Sequence, residues 1–183
     1  CIRDRYIGEY ALVSYTIISY VNTIVVMSMA GIAQGTQPLI SYYYGKNESE
    51  KYKKLLKYGM VAAAAGSVAA VLICYVGAES IVGLFLKESE ASLSIYSVRV
   101  LRIFILSFLL AGLNVVLGGY FTSVEKAGFA TMISLTRSLI ALVISLVFLT
   151  AVFGGEAIWW APLIAESCCL VLSAGLYQWY RKK

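Results

Sequence analysis

Arg137 and Glu166 are the two charges set deepest in otherwise apolar sequence, within ISLTRSLI and WWAPLIAE. Neither is tolerable alone in hydrocarbon, where burial costs at least about 2.5–3.5 kcal/mol on insertion scales, so the two are expected to pair. Such a pair can do one of two things. A carboxylate whose protonation or ion occupancy changes through a working cycle would have its titration biased by the arginine. A carboxylate held permanently ionised by its arginine would instead lock two helices together. The residue types leave both readings open.

The uncharged polar residues are the next candidates. Tyr20, Asn22, Gln34, Thr36 and Gln37 lie in one apolar stretch and Asn114 in another. An amide in hydrocarbon must find a hydrogen bond, so these faces are expected to point at protein or water. They suit a pathway for organic solutes, which amides and aromatic rings bind without fixed charge, or they tie helices together. Pro38 cannot donate to the backbone ladder, which predicts a bend or unwinding near Gln34, and Pro162 marks a second kink. Arg99 and Arg102 either snorkel to headgroups, or Arg102 reaches Glu166 in competition with Arg137.

Other chemistries lack their residues. With no histidine, imidazole proton relays, His metal sites and Ser-His-Asp catalysis are excluded. Cys1, Cys74, Cys168 and Cys169 show no CxxC spacing, and three of them sit in apolar sequence as small hydrophobes. An embedded enzyme would need paired carboxylates or an activated nucleophile, and neither is visible. No metal site, cofactor or enzymatic activity is expected.

The elements that position these residues are membrane spans. Hydrophobic residues make up 60% of the 183 and charged residues 14%, and no Asp, Glu, Lys or Arg occurs in 10–45, 58–78, 103–124 or 138–155. About 20 apolar residues suffice for a helix to cross the roughly 30 Å core of a bilayer. A transmembrane β-barrel would alternate apolar and polar positions, whereas 61–76 and 139–152 are apolar on every face. The expected fold is an all-α polytopic bundle with five transmembrane helices, at about 6–44, 54–85, 93–123, 126–153 and 157–180. The first is too long for a perpendicular crossing and must tilt, kink or project. At 1.5 Å per residue, Arg137 lies about 16 Å from one face and Glu166 about 14 Å from the other, at similar depth.

The net charge of +5 is placed as membrane topology places it. Nine basic residues (Lys46, Lys51, Lys53, Lys54, Lys57, Lys126, Arg181, Lys182, Lys183) fall on one side of five alternating spans. Arg3, Arg5, Lys87, Arg99 and Arg102 fall on the other, and Arg137 completes the fifteen. That asymmetry predicts a cytoplasmic carboxyl end and no nucleic-acid partner. A chain opening at Cys1 without a signal peptide is expected to have lost its natural beginning.

ISYVN at 18–22, GIAQGTQPLISYYYG at 31–45 and the following KNESEKYKK closely resemble the eighth span of multidrug and toxic compound extrusion (MATE) transporters. LRIFILSFLLAGLNVVLGGYFTSVEKA at 101–127, ISLTRSLI at 133–140 and WWAPLIAE at 159–166 look like the family's tenth, eleventh and twelfth spans. The resemblance implies an incomplete carboxyl-terminal lobe across 1–183, whose partners are an amino-terminal lobe, a seventh span and the bilayer. It implies efflux of cationic or amphipathic organic compounds from a bacterium across its cytoplasmic membrane. Inward Na+ or H+ flow would drive it, with two lobes alternating access. Tyr20, Asn22, Gln34, Gln37 and Asn114 would then face the route, with Glu166 and Arg137 as a supporting or coupling pair. Some family branches place a cation-site acid on the tenth span, where this chain reads Ala111-Gly112-Leu113-Asn114. A coupling carboxylate would therefore be Glu166 or lie outside the chain. A flippase for lipid-linked precursors, the alternative within transport, would carry more inward basic residues. A non-transporting membrane scaffold would not need amides beside a proline.

Overall fold

Long uninterrupted apolar sequence becomes long uninterrupted helix. A computed structural model describes residues 2–86 and 90–182, with side chains from residue 8 onward. Cys1, Lys87 and Lys183 and the side chains of Arg3 and Arg5, which enter the cysteine and charge arguments, lie outside what is described. The chain runs through α1 (Ile2–Gly45), α2 (Ser49–Val76), the short α3 (Ala78–Gly83), α4 (Ala91–Ile105) and α5 (Phe108–Ser123). It continues through α6 (Ala127–Leu135), a π-turn (Thr136–Ile140), α7 (Ala141–Phe153), a 3-10 segment (Gly155–Trp160) and α8 (Ala161–Lys182). Four helical stretches are long and apolar enough to cross a membrane, or five if the bent pair α4–α5 is one span.

Several boundaries differ from the apolar pattern. The helix expected over 54–85 begins at Ser49 and ends at Val76, and Gly77 leads into α3. The helix expected over 93–123 breaks at Leu106 and Ser107 with a 41° bend. There Leu106 N–H bonds Ile103 O and Ser107 N–H bonds Phe104 O, both to the third residue back, while the Ser107 hydroxyl donates to Phe104 O at 2.8 Å. A serine that offers its own hydrogen bond in place of the regular ladder is a common cause of such a break.

Neither proline unwinds its helix. α1 continues unbroken through Pro38 to Gly45, so the unwinding expected near Gln34 does not occur. In a helix this long, the loss of one ladder bond is outweighed by the turns on either side. Pro162 is the second residue of α8, where a missing N–H interrupts no ladder bond. It opens the helix instead of kinking it.

α1, α2 and α5 form a tight wedge. A Cβ on Gly112 of α5 would run into the Ser67 hydroxyl of α2 and lie 3.1 Å from Met29 Sδ of α1. A Cβ on Gly119, two turns on, would meet Gln37 Nε2 at 2.6 Å. In lipid, where apolar surface alone gives helices little reason to associate, this closeness of approach is the main source of cohesion. α6 and α8 pack on the opposite flank of α5, burying Ile133, Val116, Phe121 and Cys169. Val143, Ile144, Val147 and Phe148 of α7 point away from the bundle.

The two ends of the bundle are chemically distinct. At one end, Tyr44 and Tyr52, Tyr120 and Tyr177, and Phe129 and Trp179 pack ring to ring, with centroids 5.6, 5.7 and 5.6 Å apart. At the other, Trp159 Nε1 donates to Tyr96 Oη at 3.1 Å, and Arg99 stands 3.9 Å from Glu156. Such rings sit at the two water boundaries of a membrane protein.

Candidate functional site

Arg137 occupies the wide turn between α6 and α7, where Ala141 N–H bonds the Thr136 carbonyl five residues back. One extra residue in a helical turn re-aims the side chains on it, and such turns recur at functional positions. From there Arg137 Nε donates to Glu166 Oε1 on α8 at 2.8 Å. Asn114 Nδ2 on α5 donates to Glu166 Oε2 at 2.7 Å and to the Glu166 carbonyl at 2.9 Å. Three helical segments therefore converge on one carboxylate, both of whose oxygens are held.

The carboxylate is largely but not wholly enclosed. The Glu166 side chain is 13% exposed and that of Arg137 25%, while Asn114 is 1% exposed. The opening leads into a cavity of about 920 Å³ between α1, the α4–α5 break, α6–α7 and α8. Tyr15, Ser19 and Asn22 line its α1 wall, and Ser134 and Ser138 flank Arg137 across from them. Asn114 Oδ1 is buried and has no hydrogen-bond partner among the described residues. The chamber thus offers hydroxyls, an amide, aromatic rings and one compensated charge pair, a mixed polar and apolar lining of the kind found in small-molecule pockets.

The structure separates the sequence candidates. Asn22 lines the cavity, Arg137 and Glu166 form its polar floor, and the buried Asn114 holds Glu166 from behind. Gln37 lies instead in the α1–α5 contact against Gly119, and Gln34 is exposed on another face of α1. Tyr20 is also off the cavity, stacked on Phe85 with centroids 5.7 Å apart. Arg102 does not reach Glu166. Its guanidinium pairs with Glu79 at 3.1 Å and lies 5.2 Å over the Tyr75 ring, because its face of α4 looks toward α2 and α3. Tyr15, Ser19, Ser134 and Ser138 were missed, although Tyr15, Ser19 and Asn22 recur at the spacing of one helical stripe.

Removing the Asn114 amide should weaken the floor measurably. Asn114→Leu is expected to lower the stability of the full-length protein by about 1–3 kcal/mol, the typical loss when a buried polar group forfeits its partner. Thermal melting in detergent reads it.

Long apolar helices around a polar-floored chamber define a polytopic α-helical membrane protein. The family model described as MatE matches residues 4–147, and the chain belongs to that family, the MATE transporters. Multidrug export protein MepA of Staphylococcus haemolyticus (strain JCSC1435) is 25% identical over 166 residues, covering 91% of this chain and 36% of that protein. MepA of Staphylococcus aureus (strain MRSA252) is 24% identical over 162 residues, covering 88% and 35%. A solved outward-facing conformation of a multidrug resistance MATE family transporter of the MOP superfamily matches with a TM-score of 0.85 at 17% identity, over 96% of this chain and 39% of that one. An inward-facing conformation matches at 0.81 and 17% identity, over 92% and 38%. The chain spans about a third of the length of the curated relatives it matches.

Proposed function

We propose that this chain forms part of the carboxyl-terminal lobe of a multidrug exporter and supplies one wall of its substrate route. Cationic or amphipathic organic compounds would pass along the chamber, with inward Na+ or H+ as the driving ion and access alternating between two lobes. The observation that carries this reading is the Asn114–Glu166–Arg137 constellation opening into a cavity of about 920 Å³ between helices that can span a membrane. The likeness of one unit to both outward- and inward-facing structures supports a part that keeps its shape while access changes. An amino-terminal lobe and a further span would complete the route. The lysine-rich end would face the cytoplasm of a bacterium.

Arg137 is the sole cation lining the chamber among the described residues, which favours drug-like cargo over the phosphates of a lipid-linked precursor. Within the cycle, Glu166 would change protonation or ion occupancy, with Arg137 and Asn114 as its fixed partners.

Efflux of a fluorescent organic cation by cells carrying the full-length transporter tests the reading. Glu166→Gln is expected to cut efflux at least about tenfold while the protein still reaches the membrane, in keeping with the large effects of removing a coupled charge. Loss of expression alone, with normal efflux per molecule, would assign the pair a structural role. Ser19→Cys and Asn22→Cys are expected to react with a water-soluble thiol reagent, and Val147→Cys, on the outward face of α7, is not. Equal reactivity at all three would remove the chamber from the route.

A further inference from the structure

At the tyrosine-rich end of the bundle, away from the chamber, lies a second recess of about 540 Å³. Lys53 from the start of α2, Lys126 from the α5–α6 turn and Arg181 from the end of α8 contribute its charge. Tyr52, Tyr120 and Tyr177 supply aromatic walls, and no carboxylate lines it among the described residues. Four cations of the described residues meet carboxylates, Lys51 with Glu48, Arg99 with Glu156, Arg102 with Glu79 and Arg137 with Glu166. Among the described residues no ion pair engages Lys53, Lys126 or Arg181. Three separate segments thus bring like charges to one hollow with no carboxylate among its described lining residues, and a bound anion would offset their repulsion.

We infer that this recess binds the phosphodiester headgroup of an anionic phospholipid. Basic side chains beside a membrane surface attract anionic lipids, and tyrosine and tryptophan rings sit at headgroup level. Lys126 Nζ already stands 5.9 Å over the Tyr180 ring at the rim. The α6 face that brings Phe129 to the recess continues into Met132 and Leu135, both about half exposed, so an acyl chain has apolar surface to follow. A soluble phosphate compound would use the same cations but would leave that flank uncovered. The site therefore commits to lipid.

Native mass spectrometry of the full-length transporter, titrated with phosphatidylglycerol or phosphatidylcholine of identical acyl chains, tests it. Phosphatidylglycerol is expected to be retained at least about tenfold more tightly, from roughly fivefold per basic side chain near an anionic surface. Lys53→Gln/Lys126→Gln/Arg181→Gln is expected to erase that preference. Lys46→Gln/Lys54→Gln/Lys57→Gln, which removes equal charge outside the recess, should change it by less than about twofold. Should the first triple variant fail to fold, Lys126→Gln alone on its exposed turn is expected to lose about fivefold. Equal losses from both triples, no preference between the lipids, or displacement of lipid by inorganic phosphate or ATP would each overturn the assignment.

Discussion

Replacing Arg137 with methionine is expected to abolish efflux by the full-length transporter and to cost about 3–5 kcal/mol of stability, the usual penalty for stranding one partner of a buried pair. The geometry explains why this single change outweighs most others. Arg137 Nε is 2.8 Å from Glu166 Oε1, and without it Asn114 alone would face the carboxylate with a neutral amide. The decisive measurement is the double variant Arg137→Met/Glu166→Leu. Apolar groups of similar volume can replace a buried ion pair at little cost, so its melting temperature is expected to return most of the way to wild type. Efflux is expected to stay absent. Recovery of both properties would show the pair to be a tie between α8 and the π-turn and nothing more.

The second large effect belongs to a residue with no polar chemistry. Gly112→Leu is expected to eliminate folded protein from the membrane. A side chain there would collide with the Ser67 hydroxyl and press on Met29 Sδ, forcing α1, α2 and α5 apart along the seam where they approach closest. Overpacking a well-filled site ordinarily costs about 1–3 kcal/mol, and more where backbones must separate. Gly118→Ala is the matched control on the same helix, since its Cβ would meet only Ile133 Cγ2, at 3.9 Å. It should fold normally. Size-exclusion profiles of the two proteins, extracted side by side, distinguish a close-packing requirement from a general intolerance of change in α5.

Some of this arrangement was legible in the sequence. Apolar runs longer than 20 residues leave a helix little alternative to the membrane, and counting inward from opposite ends put Arg137 and Glu166 at one depth. That count used only helical rise, which is why it anticipated the approach the structure shows. The details that depend on neighbours were not legible. The π-turn at Thr136–Ile140 and the break at Leu106–Ser107 leave no mark in hydropathy, because widening or tightening one turn changes the backbone bonding and not the composition. Arg102 turned to Glu79 because α3, a short helix hidden within an apparent single span, brought a carboxylate closer than α8 could. Gln37, Gln34 and Tyr20 share α1 with Asn22, but helical rotation sends them to other faces, and spacing from Asn22 was the clue left unused. Asn114 could be read either as facing a solute route or as a tie between helices, and the structure shows the tie. Its observed role at Glu166 needed the crossing of α5 and α8, which no local pattern encodes.

The position of α5 has a mechanical consequence. It is gripped by α1 and α2 on one flank and by α6 and α8 on the other, with the chamber opening between the two groups. The arrangement is that of a book with α5 as its spine. The glycine-lined seam fastens α1 and α2 to that spine, and the Asn114 amide on α5 clasps Glu166 on α8, so both covers are bound to it. The tightest seam and the Arg137–Glu166 contact are thereby braced by one helix, and a load on either flank is carried by α5.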